Sequence, residues 1–301
     1  MILKYIVDDS TAGYTVKQIL KSRLSLSTRL INKLKYQDKI LCNSVSVHIN
    51  HVVQKGFTVE VLIELDEENN YIVPENIPVD IIYEDEAIIA VNKQPGIVVH
   101  PTCSHPSGTI ANGLVKYYNE KDIFIKIRPV SRLDRDTSGV IIFAKNPYIQ
   151  ESLIKQMGSN GFEKEYYGIA SGILENRFGT IDRPIERKPG SIMLRHVSET
   201  GSPSVTNYEV IEYLNNATFV KFHPITGRTH QIRVHCQSIG HPLIGDFLYS
   251  EEQTSSVQTV IERQALHSYR VSFFHPITSK KIELYAPIPP DFNTALEILR
   301  K

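Results

Sequence analysis

Residues 128–146, RPVSRLDRDTSGVIIFAKN, form the densest polar cluster in an otherwise apolar setting. Arg132, Asp134, Arg135, Asp136, Thr137, Ser138 and Gly139 fall between two apolar runs, where a loop can present a carboxylate flanked by guanidinium groups. A neighbouring Arg lowers a carboxyl pKa and keeps the acid ionised, ready to act as nucleophile or base. The plainer alternative is a turn whose Asp and Ser bond to local backbone. A second cluster, HPITGRTHQIRVHCQSIGHPLIGD at residues 223–246, carries His223, His230, His235 and His241 with Arg228 and Arg233. His230 and His235 do not share a helix face and no HExxH pattern is completed, so no metal site is expected. Capping and packing account for these histidines taken singly. Arg233 differs, because a guanidinium on the outer face of a helix can pair with Asp134 or with a phosphate. A third cluster, GFEKEYYGIASG at residues 161–172, sets Tyr166 in a β-like run beside Lys164. Strand aromatics are ordinarily core; the functional alternative makes Tyr166 a wall that stacks on a flat base, with a hydroxyl available for proton transfer.

These clusters need elements to hold them. Residues 15–34 repeat apolar side chains at the spacing of two short amphipathic helices, with Ser27 as N-cap of the second. KILCNSVSVHINHVVQKGFTVEVLI then reads as small strands, with turns at Asn43-Ser44 and Lys55-Gly56. The acidic, Pro-broken stretch DEENNYIVPENIP has linker composition. The expected organisation is therefore a small basic unit over 1–66, a linker over 67–78 and a large domain over 79–301. The large domain alternates short β-rich runs (VDIIYED, AIIAVNK, GVIIFAK, YRVSFFHP, KKIELYAP), which predicts an α+β fold with a mixed, mainly antiparallel sheet. Two helices are predicted inside it. One is capped by Asn146-Pro147 and closed by Gly158; the other spans 229–239, closed by Gly240, with Ile232, Cys236 and Ile239 packing and His230, Arg233 and Gln237 on a free polar face.

Composition narrows the function classes. Basic and acidic residues cancel at 33 each, so a nucleic-acid partner must be argued from local clusters. One exists: residues 1–40 hold eight Lys or Arg, among them Lys17, Arg23, Arg29, Lys33 and Lys35, against three Asp. Cys42, Cys103 and Cys236 are odd in number and form no CxxC pair, which argues against a disulfide framework and structural zinc and favours a reducing cytosol. No apolar leader and no apolar run of membrane-spanning length is found, so a cytoplasmic protein without membrane contact is expected.

In order and spacing, the three clusters resemble the RluA/RluD-type pseudouridine synthases. SRLDRDTSG stands for the family's HRLDxxTSG, Lys164-Glu165-Tyr166 for KxY, and GRTHQIRVH matches at residues 227–235; VNKQPG, GHPLIGD and LHSYRVSFFHP add further matches. The resemblance spans roughly residues 77–290. It implies the pseudouridine synthase fold, with Asp134 rather than Asp136 as catalytic aspartate, Tyr166 as active-site tyrosine and Arg233 as the arginine paired with the aspartate. It also implies that Arg132 fills the gap left when the target base leaves the stack. Two departures are Ser131, where His is frequent, and Lys93-Gln94-Pro95 in place of Lys-Pro-x-Gly. The N-terminal unit resembles the small αL RNA-binding domain of ribosomal S-four type.

The resemblance implies a mechanism in outline. The enzyme extrudes a uridine from folded RNA, and Asp134 initiates cleavage of the bond from ribose to nitrogen 1, by attack on sugar or base or by removing a ribose proton. The freed uracil rotates and rejoins through carbon 5, with Asp134 or Tyr166 as base. Such an isomerisation calls for no cofactor and no metal. Phosphate contacts are expected from the N-terminal cations and from a basic loop around Arg183, Arg187, Lys188 and Arg195. Large-subunit ribosomal RNA is the expected substrate, transfer RNA the second, and the chain is expected to work as a monomer. A non-catalytic RNA-binding or ribosome-assembly factor is the rival reading, and a Ser/His/Asp hydrolase using Ser131 or Ser138 a distant third, since no GxSxG elbow is present.

Overall fold

The computed structural model describes residues 1–63, 72–159, 161–250 and 259–301. The expected boundary at residue 66 and the linker as far as residue 71 lie outside the described residues. Residues 1–63 contain β1 (Ile2–Ile6), α1 (Val16–Ser22), α2 (Thr28–Lys35), β2 (Ile40–Cys42), β3 (Val45–Ser46) and β4 (Thr58–Leu62). Thr15 and Gln18 form a capping box that starts α1, and Ser27 accepts from the Leu30 amide to start α2. The faces these caps orient, Val16, Ile19 and Leu20 with Leu30, Ile31 and Leu34, bury against Val59 and Val61 of an antiparallel sheet ordered β1-β4-β2-β3. Asn43 and Ser44 turn the β2–β3 hairpin at positive φ, a conformation that Asn tolerates well.

From residue 72 the chain forms β5 (Ile81–Glu84), β6 (Ile88–Lys93), α3 (Ile110–Asn119), β7 (Arg128–Pro129), β8 (Ser138–Ala144), α4 (Pro147–Met157), β9 (Phe162–Ser171), β10 (Phe178–Asp182), β11 (Ile185–Arg187), β12 (Arg195–Val197), β13 (Val205–Leu214), β14 (Ala217–Pro224), α5 (Gln231–Ser238), β15 (Leu266–Phe274), β16 (Lys281–Tyr285) and α6 (Pro290–Leu299). A ten-stranded sheet runs β10-β13-β14-β9-β15-β8-β6-β5, with β16 beside β15 and β7 beside β8. β15 and β8 are parallel, while its other pairings among the described residues are antiparallel. The fold is thus α+β with a mixed, mainly antiparallel sheet, as its alternating runs indicated. Every residue of β6 and β8 is buried, the apolar runs Ile88–Val91 and Val140–Ala144 together with the polar Asn92, Lys93 and Ser138. The parallel crossing depends on Gly139, whose φ is +109° and whose absent Cβ would lie 2.2 Å from the Ser268 carbonyl oxygen.

The helix count needs correction. α4 has its Asn146 cap, Pro147 and terminal Gly158 as expected, but α3 and α6 were not anticipated. In α3 the interior Asn112 and Gly113 disguise a helix: Asn112 completes a capping box with Thr109 and donates to the Val73 carbonyl at 2.8 Å. Gly113 lets the helix approach Ile77, whose carbonyl oxygen would sit 2.8 Å from a Cβ. α5 also begins later than expected, after His230, which caps it in a left-handed conformation with φ 57°.

Candidate active site

The loop between β7 and β8 is pinned atom by atom. Lys93 at the end of β6 is fully buried, and its Nζ donates to the carbonyls of Arg135 (2.6 Å), Gln94 and Ile97 (2.9 Å each). Burial pushes the Lys93 pKa down to about 7, Asp136 and Asp134 pulling the other way; its three acceptors take all three N–H groups of the ammonium form. Arg263 donates to the Asp136 carbonyl at 3.0 Å, Gln264 Nε2 to Thr137 Oγ1 at 3.2 Å, and Ser138 Oγ lies 3.0 Å from His267 Nδ1. Four successive residues therefore have fixed partners, and the loop presents Asp134 with its geometry set in advance.

Asp134 meets Arg233 of α5, whose Nη1 donates to Oδ2 at 3.1 Å. The rest of the guanidinium forks onto Asp246, with Nε and Nη2 each 2.7 Å from a carboxylate oxygen. Burial alone would lower the Arg233 pKa; hydrogen bonding and charge from Asp246, joined by Asp134, reverse that and raise it. Arg233 is 6% exposed, so the outer polar face expected for α5 is corrected: among the three polar residues assigned to it only Gln237 faces solvent, and Arg233 is accommodated inside by two carboxylates. His230 Nε2 lies 3.9 Å from Asp134 Oδ1, and its Nδ1 lies 2.8 Å from the Tyr249 hydroxyl. That hydroxyl accepts from the Arg195 amide at 3.0 Å, which leaves its own proton for Nδ1. The imidazole proton then sits on Nε2, facing the Asp134 carboxylate. Burial is the main reason the His230 pKa is lowered, so the ring is neutral at pH 7.

Tyr166 stands on β9 in the same cavity of about 680 Å³, which Leu133, Ile232 and Leu266 also line. The volume and apolar walls suit a flat ring with its sugar. Burial, with a smaller effect from the Asp134 charge and an opposing hydrogen bond to Ser268, raises the Tyr166 pKa to about 12, so its hydroxyl keeps its proton at neutral pH. Lys164, held below its ordinary pKa by burial, and the exposed Arg132 sit on the same cavity wall. Residues 87–238, which carry Asp134, Tyr166 and Arg233, match the family described as RNA pseudouridylate synthase. The chain belongs to the RNA pseudouridylate synthase family. It is therefore an isomerase acting on RNA, converting uridine to pseudouridine. Among its relatives, an uncharacterised RNA pseudouridine synthase, YjbO of Bacillus subtilis, is 36% identical over 94% of this chain and 98% of its own. The ribosomal large subunit pseudouridine synthase D of Haemophilus influenzae is 37% identical over 81% of this chain and 78% of its own. The structure of human RNA pseudouridylate synthase domain containing 1 covers 73% of this chain and 89% of its own at a TM-score of 0.58 and 24% identity, a likeness of fold.

In this synthase the cavity gathers Asp134, Tyr166, Arg233 and Arg132, the four site residues assigned to the large domain. Lys17, Arg23, Arg29, Lys33 and Lys35 lie on the N-terminal unit, outside that cavity. Arg23, Arg29 and Lys33 are exposed and Lys17 and Lys35 half-buried; Arg23 also donates to Ser10 Oγ at 3.1 Å. The basic loop is the β11–β12 hairpin. Arg187 and Lys188 are exposed there, whereas Arg195 turns inward to the carbonyls of Met193 and Leu194 and Arg183 donates to that of Ser238. Sequence reasoning missed Lys93, His230, Asp246 and Tyr249 as parts of the site. Asp246 had a usable signal, since the GHPLIGD match ends on it. The hydrolase reading fails at Ser138, which does meet a histidine, but both are buried, and His267 turns its other nitrogen to the Ala286 carbonyl at 3.2 Å.

Proposed function

We propose that this synthase isomerises specific uridines of large-subunit ribosomal RNA in the cytoplasm, with Asp134 as the catalytic carboxylate. The observation that carries the reading is the meeting of Asp134, Arg233 and Tyr166 in one cavity large enough for a nucleotide. The ribosomal substrate is suggested by the name of the Haemophilus relative. Asp134 breaks the bond between ribose carbon 1′ and nitrogen 1, by attack or by taking a ribose proton, and Arg233 holds its carboxylate in place. The detached uracil turns against the Tyr166 ring, carbon 5 bonds to carbon 1′, and the carbon-5 proton leaves as nitrogen 1 gains one, so atoms balance without a co-reactant. Tyr166 retains its proton at neutral pH, which favours Asp134 as the group that removes the carbon-5 proton. Arg132, exposed on the cavity wall, is placed to occupy the space left in the RNA stack.

The same proposal makes residues 1–66 the S-four-type RNA-binding unit, 67–78 a linker and 79–301 the catalytic domain. An apolar cluster of its own within residues 1–63 supports that division. Lys17, Arg23, Arg29, Lys33 and Lys35 then supply backbone contacts. The test is tritium release from carbon-5-labelled RNA, with pseudouridine mapping in cells lacking the gene. Release from large-subunit ribosomal RNA, and loss of one or a few pseudouridines from it, is expected. Release confined to transfer RNA would contradict the substrate assignment.

A further inference from the structure

Asp134 faces Arg233 and His230, and one buried side chain touches both of them. Tyr249 is 3% exposed and is not among the described residues that line the active-site cavity. The guanidinium carbon of Arg233 lies over its ring, 5.0 Å from the centroid, a position in which an aromatic face attracts a cation. Its hydroxyl lies 2.8 Å from His230 Nδ1, and the two rings meet edge-on with their planes at 81°. A short turn supplies both contacts to Arg233. The Tyr249 amide donates to the Asp246 carbonyl at 3.0 Å, so the segment that offers the Asp246 carboxylate to the guanidinium also brings the Tyr249 ring to it.

What holds Tyr249 comes from elsewhere in the chain. Its hydroxyl accepts from the Arg195 amide at the start of β12, at 3.0 Å, and its ring packs with Ile185, Leu194 and Val197 of the β11–β12 hairpin and with Val234 of α5. A phenol oxygen that accepts this amide has its own proton to give, and Nδ1 is there to take it. The neutral imidazole then carries its proton on Nε2, 3.9 Å from Asp134 Oδ1. The direction matters. An N–H aimed at a carboxylate stabilises the anion where Arg233 holds it, whereas a bare nitrogen in that place would turn its lone pair toward the charge and disfavour it. We propose that Tyr249 is a positioning residue for the isomerisation: it fixes the proton on His230 Nε2, seats the Arg233 guanidinium, and through these two holds Asp134 without itself touching RNA. The inference rests on Asp134 as the catalytic carboxylate, and it makes the β11–β12 hairpin part of the scaffold of the active site.

The test uses the full-length protein with carbon-5-labelled large-subunit ribosomal RNA. Tyr249→Phe keeps the ring over Arg233 and in its apolar cluster and removes only the hydroxyl. Nitrogen-15 NMR of labelled histidine at neutral pH is expected to show His230 with Nδ1 bare and Nε2 protonated in the wild type, and a mixture of tautomers in Tyr249→Phe. The same variant should lose about tenfold in kcat with KM and RNA affinity unchanged. Adding it to His230→Asn should lower kcat no further than about twofold, because a residue that acts through His230 has nothing left to act on. Tyr213→Phe, which alters an exposed tyrosine on β13, should change none of these quantities. A wild-type His230 protonated on Nδ1, an unchanged kcat in Tyr249→Phe, a loss confined to KM, or losses that multiply in the double variant would each overturn the proposal. Wild-type protein that shows the expected tautomer but releases no tritium would instead overturn the pseudouridine reading, so the two failures are separable.

Discussion

Arg233 serves two carboxylates of unequal burial, and that inequality separates stability from chemistry. Asp246 is 1% exposed and depends on the guanidinium fork, whereas the Asp134 side chain is 22% exposed and takes a single bond. Removing Arg233 leaves a buried charge without its partner, so Arg233→Ala should cost about 3 kcal/mol or more in urea denaturation. Asp134→Asn should cost less than about 1 kcal/mol, because the Arg233–Asp246 pair survives it. Equal losses in the two variants would show that the fork is not what holds α5 in place. His230 is open to a similarly specific test. Asn at position 230 tolerates the left-handed backbone and keeps a polar atom near Tyr249, but it removes Nε2 from Asp134. His230→Asn should lower kcat about tenfold with little change in KM, as expected of a group that positions the acid without binding RNA. A change confined to KM would place His230 on the RNA instead.

At the scale of elements, the crossing of β8 and β15 carries the loop that presents Asp134. Gly139→Ala would force a Cβ against the Ser268 carbonyl at a positive φ, and we expect a loss of about 3 kcal/mol in thermal or urea unfolding; unaltered stability would mean the strands part easily. His267 at the same crossing gives a pH signature. Burial is the main cause that holds its pKa at about 4, below the ordinary 6.5, so between those values the unfolded chain binds a proton that the folded chain refuses. Its contribution is therefore full above about pH 6.5 and lost as pH falls toward 4, amounting to about 3 kcal/mol. His267→Asn, which keeps an acceptor for Ser138, should flatten the stability profile in that window, and an unchanged profile would remove His267 as the cause. The elements themselves were unevenly legible. Ser27, Asn146-Pro147 and Gly158 announced α2 and α4 through backbone chemistry that acts locally. Phe292, Ala295, Leu296 and Leu299 follow helical spacing in α6, a pattern available but not used. α3 was hidden because Asn112 and Gly113 answer to neighbours distant in sequence, Val73 and Ile77. Arg233 misled for the opposite reason: polarity suggested solvent, whereas two acids had been brought to it by the loop between β7 and β8 and by the turn after α5.

At the scale of the molecule, two apolar clusters meet at a narrow seam. Met1 and Tyr148 each pack against both, and Ser27 bonds Glu151 across the junction. Tyr148→Ala should loosen the N-terminal unit by about 2 kcal/mol, seen as faster hydrogen exchange in α1 and α2 with β6 and β8 unaffected. Unchanged exchange in α1 and α2 would mean the seam contributes nothing to their order. The chain carries no net charge, so any electrostatic attraction for RNA has to come from local clusters of cations such as the one in residues 1–40. Two acids of the RLDRD loop, Asp134 and Asp136, compete for the catalytic role. Asp134 faces Arg233 in the cavity, whereas Asp136 is held sideways by Arg135 at 3.1 Å. The most direct measurement is tritium release from carbon-5-labelled RNA by Asp134→Asn and Asp136→Asn side by side. We expect release to fall about a thousandfold or more in the first and to stay within about tenfold of wild type in the second; full activity in Asp134→Asn, or loss only in Asp136→Asn, would contradict the account.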